Sequence, residues 1–392
     1  MTQQETPRLR VVVAPDSYKE SLCAADVAAA IAEGVRQAAP EAEILSVPMA
    51  DGGEGSLDAV LAATKGERRR AVVLDANGQP CEATWGWLGN GTAFIEMAEA
   101  AGLERIPPAQ RLPLRASTYG VGQLVLQALD AGARRIVLGL GGSATTDGGA
   151  GLFQALGGHL FDAEGGELPP GGGALHHLSK VDTRKLDGRL ASVQFEIAVD
   201  VDNPLCGERG AAAIFGPQKG ATPDDVVFLD KALAHFAAVC REASGRDEAG
   251  TPGTGAAGGL GFVIKSFFQA EFRPGVELIA DLAELDQALR GARLVFTGEG
   301  RMDRQTLLGK TPAGVARHGR RQGATVIALA GSLGEGYEAL YEVGVTAAFS
   351  VVPGPMALSQ ACHDAAALLR ERARDCMLLW LAGQDEGLPG KE

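Results

Sequence analysis

The stretch from Ile136 to Gly151, IVLGLGGSATTDGGAG, constrains this chain more than any other. It opens as an apolar run that reads as a buried strand. It then breaks into glycines, hydroxyls and one carboxylate. After Asp147 it returns to small apolar residues suited to a helix. Strand, Gly-rich turn and helix together bare backbone N–H groups to an anion. Gly139, Gly141 and Gly142 allow positive φ and close approach, and Ser143, Thr145 and Thr146 add side-chain donors. Asp147 repels a phosphate unless a cation lies between them, so the pattern points to phosphate held together with Mg²⁺. The same residues also read as a tight βα turn with Asp147 as an N-cap.

The rest of the chain repeats this alternation. Residues 9–14 (LRVVVA) form a short β-branched run that predicts a buried parallel strand. Val27, Ile31 and Val35 give helical spacing over 24–38, and a second strand is expected at 43–47. Residues 70–74, 82–87 and 93–97 are strand-like runs separated by Asn77-Gly78 and Asn90-Gly91, which signal antiparallel hairpins. Helices are expected at 118–131 and 223–242, with a strand at 194–199 between them. From about 291 onward, strands (293–296, 325–330, 347–352) alternate with helices (312–321, 337–343, 358–381). The fold class expected is α/β: a flavodoxin-like parallel-sheet domain interrupted by a second, mixed α/β domain. Residues 1–65 and 290–382 would form the first and 66–289 the insertion, with 383–392 a frayed tail. The cleft between two such domains is the default ligand site.

Composition excludes several functions. Lys and Arg total 36 against 49 for Asp and Glu, a net charge of −13, which argues against nucleic acid or an anionic membrane surface as partner. The 54 glycines are not periodic, so collagen and repeat arrays are excluded. Six scattered cysteines without a CxxC argue for buried thiols rather than disulfides or zinc. The polar start, MTQQETPRLR, does not read as a signal peptide, and no apolar stretch is long enough to cross a bilayer. A cytoplasmic protein is expected.

In a parallel sheet, ligands gather at the carboxyl ends of strands. Here those ends carry Asp16, Ser17, Lys19, Glu20 and Ser21 after the first strand, and Asp51, Gly52, Gly53 and Glu54 after the second. TGEGRMDRQTLLGKTP (297–312) brings Glu299, Arg301, Asp303, Arg304, Thr306 and Lys310. The middle of the chain adds Asp147 and the group Asp200, Asp202 and Asn203. Together these loops suit phosphate, a metal and a small polar anion. Two patterns mislead. Gly139-x-Gly141-x-x-Ala144 and Gly253-x-Gly255-x-x-Gly258 fit a loose dinucleotide fingerprint, a weak signal amid so much glycine. RQTLLGKT (304–311) ends like a P-loop but has Arg304 where that motif has glycine. Thr311-Pro312 there suits the N-cap and first turn of a helix, putting Lys310 at its positive end.

Taken in order, APDSYKESL, MADGGEGS, LGLGGSATTDGGAG, DVDNPLCG, IFGPQKGAT, GTGAAGGLG and TGEGRMDRQTLLGKTP resemble the bacterial glycerate kinase family, over about residues 8–380. The resemblance implies ATP and Mg²⁺ as co-substrate and cofactor, and D-glycerate phosphorylated on its 2-hydroxyl to give 2-phosphoglycerate and ADP. It implies small-molecule partners only and is compatible with a homodimer. A kinase acting on the 3-hydroxyl, or a nicotinamide-dependent hydroxyacid dehydrogenase, is the alternative. Chemistry then distributes the residues. Ser17, Lys19 and Arg301 suit the glycerate carboxylate, with Asp51 and Asn203 beside the substrate. Gly141, Gly142, Ser143 and Thr145 suit ATP phosphates, joined by Lys219 or Lys310. Asp147 and Asp202 suit the metal. The hydroxyl proton would go to Asp16, Asp200 or Asp303; Asp200 is preferred because it closes a buried strand.

Overall fold

The computed structural model describes residues 8–385. Its strands are β1 (Arg10–Val13), β2 (Glu43–Ser46), β3 (Glu67–Leu74), β4 (Pro80–Gly89), β5 (Thr92–Glu96), β6 (Arg135–Gly139), β7 (His159–Phe161), β8 (Lys180–Asp182), β9 (Gln194–Ala198), β10 (Gln269–Arg273), β11 (Leu294–Met302), β12 (Thr325–Leu333) and β13 (Ala347–Ser350). The helices that matter below are α1 (Ala24–Ala38), α2 (Tyr119–Asp130), α3 (Ala150–Ala155), α4 (Pro223–Ser244), α5 (Ala256–Phe267), α6 (Thr311–Arg321) and α7 (Ala365–Asp385). The chain divides into two compact units. One contains the chain up to Asp51, Asp58–Lys65 and everything from Val276; the other contains Gly52–Leu57 and Gly66–Gly275.

In the first unit five parallel strands lie in the order β13-β12-β11-β1-β2. Counted along the chain this is the flavodoxin-like order 2-1-3-4-5. The apolar runs explain it: Val11, Val12, Val13, Leu294, Val295 and Phe296 are fully buried, as strands covered on both faces must be. Val27, Ile31 and Val35 turn the apolar stripe of α1 inward. α1 also packs against α7 so closely at Gly34 that a Cβ there would lie 2.1 Å from the Arg370 carbonyl oxygen. The expected last helix is interrupted at Asp364, which leaves Leu358–His363 as a separate turn before α7. Gly383 to Asp385 of the expected tail continue α7; residues 1–7 and 386–392 lie outside the described residues.

In the second unit a six-stranded mixed sheet runs β10-β9-β6-β5-β4-β3. β3, β4 and β5 pair antiparallel, and β5, β6, β9 and β10 pair parallel. The Asn-Gly pairs stand at the two hairpin turns; Asn90 and Gly91 both have positive φ, as a tight hairpin turn demands. The chain returns to the first unit at Val276, earlier than the 290 expected. The apolar run of Gly275–Leu282 accounts for this: Val276 packs on Gly314 of α6, where a Cβ would lie 2.4 Å from Val276 Cγ2.

Candidate active site

The first unit gathers its chemistry beyond the carboxyl ends of β1 and β11. Past Val13 the chain stays zipped to β11, with Ala14 N–H donating to the Phe296 carbonyl and Asp16 N–H to the Gly298 carbonyl. Tyr18, buried, donates its hydroxyl to the Leu329 carbonyl at 2.9 Å and anchors the loop from below. Asp16 is thereby held in place. Its Oδ1 accepts the Ser17 N–H at 2.6 Å and the Ser17 hydroxyl at 3.3 Å, and its Oδ2 accepts the Thr311 hydroxyl at 2.5 Å. Burial pushes the Asp16 carboxyl up to about 7, with the nearby charge of Asp51 and more weakly that of Glu299 acting the same way, against the Thr311 and Ser17 hydrogen bonds.

Glu299, on β11, accepts the Thr306 hydroxyl at 2.7 Å and meets Lys310 Nζ at 3.4 Å. Burial lifts its carboxyl too, against those two partners. Asp303 is an N-cap: it accepts the Gln305 N–H at 2.9 Å and the Arg301 Nε–H at 3.1 Å, and these bonds hold its carboxyl below the ordinary range. That is a poor disposition for a proton acceptor. Lys19 is exposed. α6 begins at Thr311 with Lys310 as its N-cap residue, one position earlier than Thr311-Pro312 suggested, and Thr311 uses its hydroxyl on Asp16 instead of capping. Asp16, Ser17, Asp51 and Lys310 therefore fall in one cluster with Glu299 and Thr306 of the same sequence set, and the structure adds Thr311.

The second unit builds the Gly-rich loop after β6. Gly142, Gly148 and Gly149 all have positive φ, and Gly149 caps α3. Gly141 approaches Gly53 so closely that a Cβ would lie 2.8 Å from its Cα. Asp147 is fully buried inside the loop. Its Oδ2 accepts the N–H and hydroxyl of Thr118, at the start of α2, and the N–H of Gly151; its Oδ1 accepts the N–H of Gly149. It thus closes a βα turn, although Gly149 rather than Asp147 is the N-cap residue of α3. Burial raises its carboxyl, and these donors work against the rise. Lys219, 2 % exposed, donates to the Thr145 carbonyl at 2.6 Å. Burial brings its ammonium down to about 7 despite the charge of Asp147. The Thr145 and Thr146 hydroxyls are buried with no hydrogen-bond partner, a costly state for a polar group in a finished core.

GTGAAGGLG does not form a dinucleotide turn. Ala257, Gly258 and Gly259 are three successive left-handed residues near the start of α5, and Gly258 lies under the 142–149 loop, accepting the Gly148 N–H. Asp200 lies exposed at the end of β9 and accepts the Gly275 N–H at 3.0 Å. Asp202 is exposed and paired with Arg209 at 2.6 Å, and Asn203 donates to the Arg209 carbonyl. Neither Asp147 nor Asp202 fits a divalent cation as placed: one has its oxygens filled by four donors, the other faces a guanidinium. Among the described residues no three His, Cys, Asp or Glu side chains converge as a metal site.

The glycerate kinase family profile matches residues 11–381. The chain belongs to the glycerate kinase family. It is 48 % identical to a glycerate kinase of Halalkalibacterium halodurans, over 93 % of this chain and 96 % of that one. It is 46 % identical to a glycerate 2-kinase of Escherichia coli, over 91 % and 94 %. A crystal structure described as a candidate glycerate kinase 2 from Salmonella typhimurium LT2 superposes with a TM-score of 0.89 at 44 % identity, over 96 % of this chain and all of that one. Glycerate kinase membership makes the chain a phosphotransferase enzyme, and the mixed α/β architecture is that of the Salmonella protein. No helix among the described residues is long and apolar enough to cross a membrane.

Proposed function

We propose that the chain transfers the γ-phosphoryl group of ATP to the 2-hydroxyl of D-glycerate, giving 2-phosphoglycerate and ADP, with Asp16 receiving the hydroxyl proton. Phosphoryl transfer asks a protein mainly to position reactants and neutralise charge. The observation that carries the assignment is the Asp16 carboxyl, fixed past the end of a buried strand by Ser17 and Thr311 beside Glu299 and Asp51, where burial lifts it to about 7. A base works best with a pKa near the working pH and contributes about 10²–10⁴ in rate. Asp303 lacks this disposition, serving as an N-cap with its carboxyl held below the ordinary range, while Asp200 lies exposed just past its strand and accepts a backbone N–H. The E. coli relative's name, glycerate 2-kinase, supports the 2-hydroxyl.

Ser17, Lys19 and Arg301 are the donors for the glycerate carboxylate. The phosphates are assigned to the loop from Gly141 to Thr145, whose tip at Gly142 is exposed and turns through positive φ, baring backbone N–H groups. Lys219, enclosed behind Thr145, braces that loop through its carbonyl rather than touching a phosphate. Mg²⁺ would enter with the nucleotide, coordinated chiefly by phosphate oxygens and water. An enzyme with these substrates is assigned to the cytoplasm. Coupled ADP-release assays with D-glycerate, followed by NMR of the product, test the reaction. Phosphate on carbon 2 is expected; phosphate on carbon 3, or no glycerate-dependent ADP, contradicts it.

A further inference from the structure

Asp16 is gripped from two directions. Its own loop supplies the Ser17 N–H and hydroxyl to Oδ1. Its other oxygen is held from a point 295 residues away, by the Thr311 hydroxyl. Thr311 is fully buried and is the first residue of α6, so its backbone is fixed by the helix, and a β-branched side chain has few rotamers to choose among. A hydroxyl has one proton to give, and this one goes to Asp16. The charges of Asp51 and, more weakly, Glu299 both disfavour a carboxylate at Asp16, and the Lys310 ammonium is turned to Glu299.

We propose that Thr311 is a positioning residue, whose hydroxyl sets the orientation of the Asp16 carboxylate and favours its ionised form against Asp51 and Glu299. This rests on Asp16 being the proton acceptor. A hydrogen bond donated to a carboxylate favours its charged form, so removing it makes Asp16 harder to ionise. The consequence belongs to the pH profile as well as to the rate.

The test compares Thr311→Val and Thr311→Ser with the parent, measuring glycerate-dependent ADP release against pH together with thermal melting. Thr311→Val is expected to move the acid limb of kcat/KM upward by about one pH unit. At pH 6.5 it should lower kcat about tenfold or more, with KM for glycerate changed less than about threefold. Thr311→Ser, which keeps the hydroxyl, should restore the limb. If Thr311→Val does not fold, Thr311→Ala removes the donor without added bulk and carries the same expectation. A Thr311→Val or Thr311→Ala protein that melts earlier but keeps the parent's pH profile overturns the inference and leaves Asp16 as acceptor untouched. If Asp16→Asn retains turnover, the assignment of Asp16 fails first and the inference with it.

Discussion

At the residue scale, the Asp16 carboxylate is costly to keep. The folded Asp16 carboxyl binds its proton more tightly than it would in the unfolded chain, about 7 against an ordinary 3.8. Between those values the folded state holds more protons, so this group's contribution to stability is full below about pH 4 and is lost as pH rises through 7. Asn has nearly the same shape and no charge to desolvate; its one oxygen still accepts from Ser17, and its amide N–H replaces the acceptor at Thr311, whose hydroxyl oxygen can accept it. Asp16→Asn is therefore expected to melt at a higher temperature than the parent at pH 8, and to show a flatter stability profile between pH 4 and 7, while losing turnover. Such a trade is common where a site holds a group in an unfavourable state for function. A lower melting temperature for Asp16→Asn at pH 8 would show that Asp16 stabilises the fold instead.

At the element scale, the second unit depends on backbone conformations only glycine tolerates well. A Cβ on Gly258, at φ +68, would stand 1.9 Å from the Thr145 carbonyl oxygen, the atom Lys219 also holds. Gly258→Ala is expected to lower unfolding free energy by about 2 kcal/mol or more, read from denaturant midpoints, and to weaken nucleotide binding because the loop above it must shift. A loss under about 0.5 kcal/mol would mean the loop relaxes freely. The elements most legible in the sequence were those with strong periodic or turn signals: the stripe of α1, the valines of β1, the Asn-Gly turns and the Pro223 start of α4. β10, QAEFR, was not legible, because its mixed polar pattern becomes a strand only by pairing with β9. The short β7–β8 pair escaped for the same reason. Within the site, glycines and carboxylates announced themselves by type. The Asp16–Thr311 contact could not, since nothing local ties two positions so far apart, and burial decided that Asp147 closes a turn rather than facing a ligand.

At the scale of the whole molecule, a chain of net charge −13 handles anionic substrates, so the necessary positive potential must be local. On the proposed assignment, backbone N–H groups and a few cations such as Lys19, Arg301 and Lys310 would provide it, while the acidic remainder discourages polyanions. Family membership settles the class of reaction; what remains the account's own is the identity of the proton acceptor. The most direct test is the turnover of Asp16→Asn beside Asp200→Asn, with D-glycerate and ATP saturating and both proteins shown to be folded. The account predicts that Asp16→Asn loses about 10²–10⁴ in kcat, and loses at least tenfold more than Asp200→Asn. Turnover within a few-fold of the parent for Asp16→Asn, or the larger loss falling on Asp200→Asn, would contradict it.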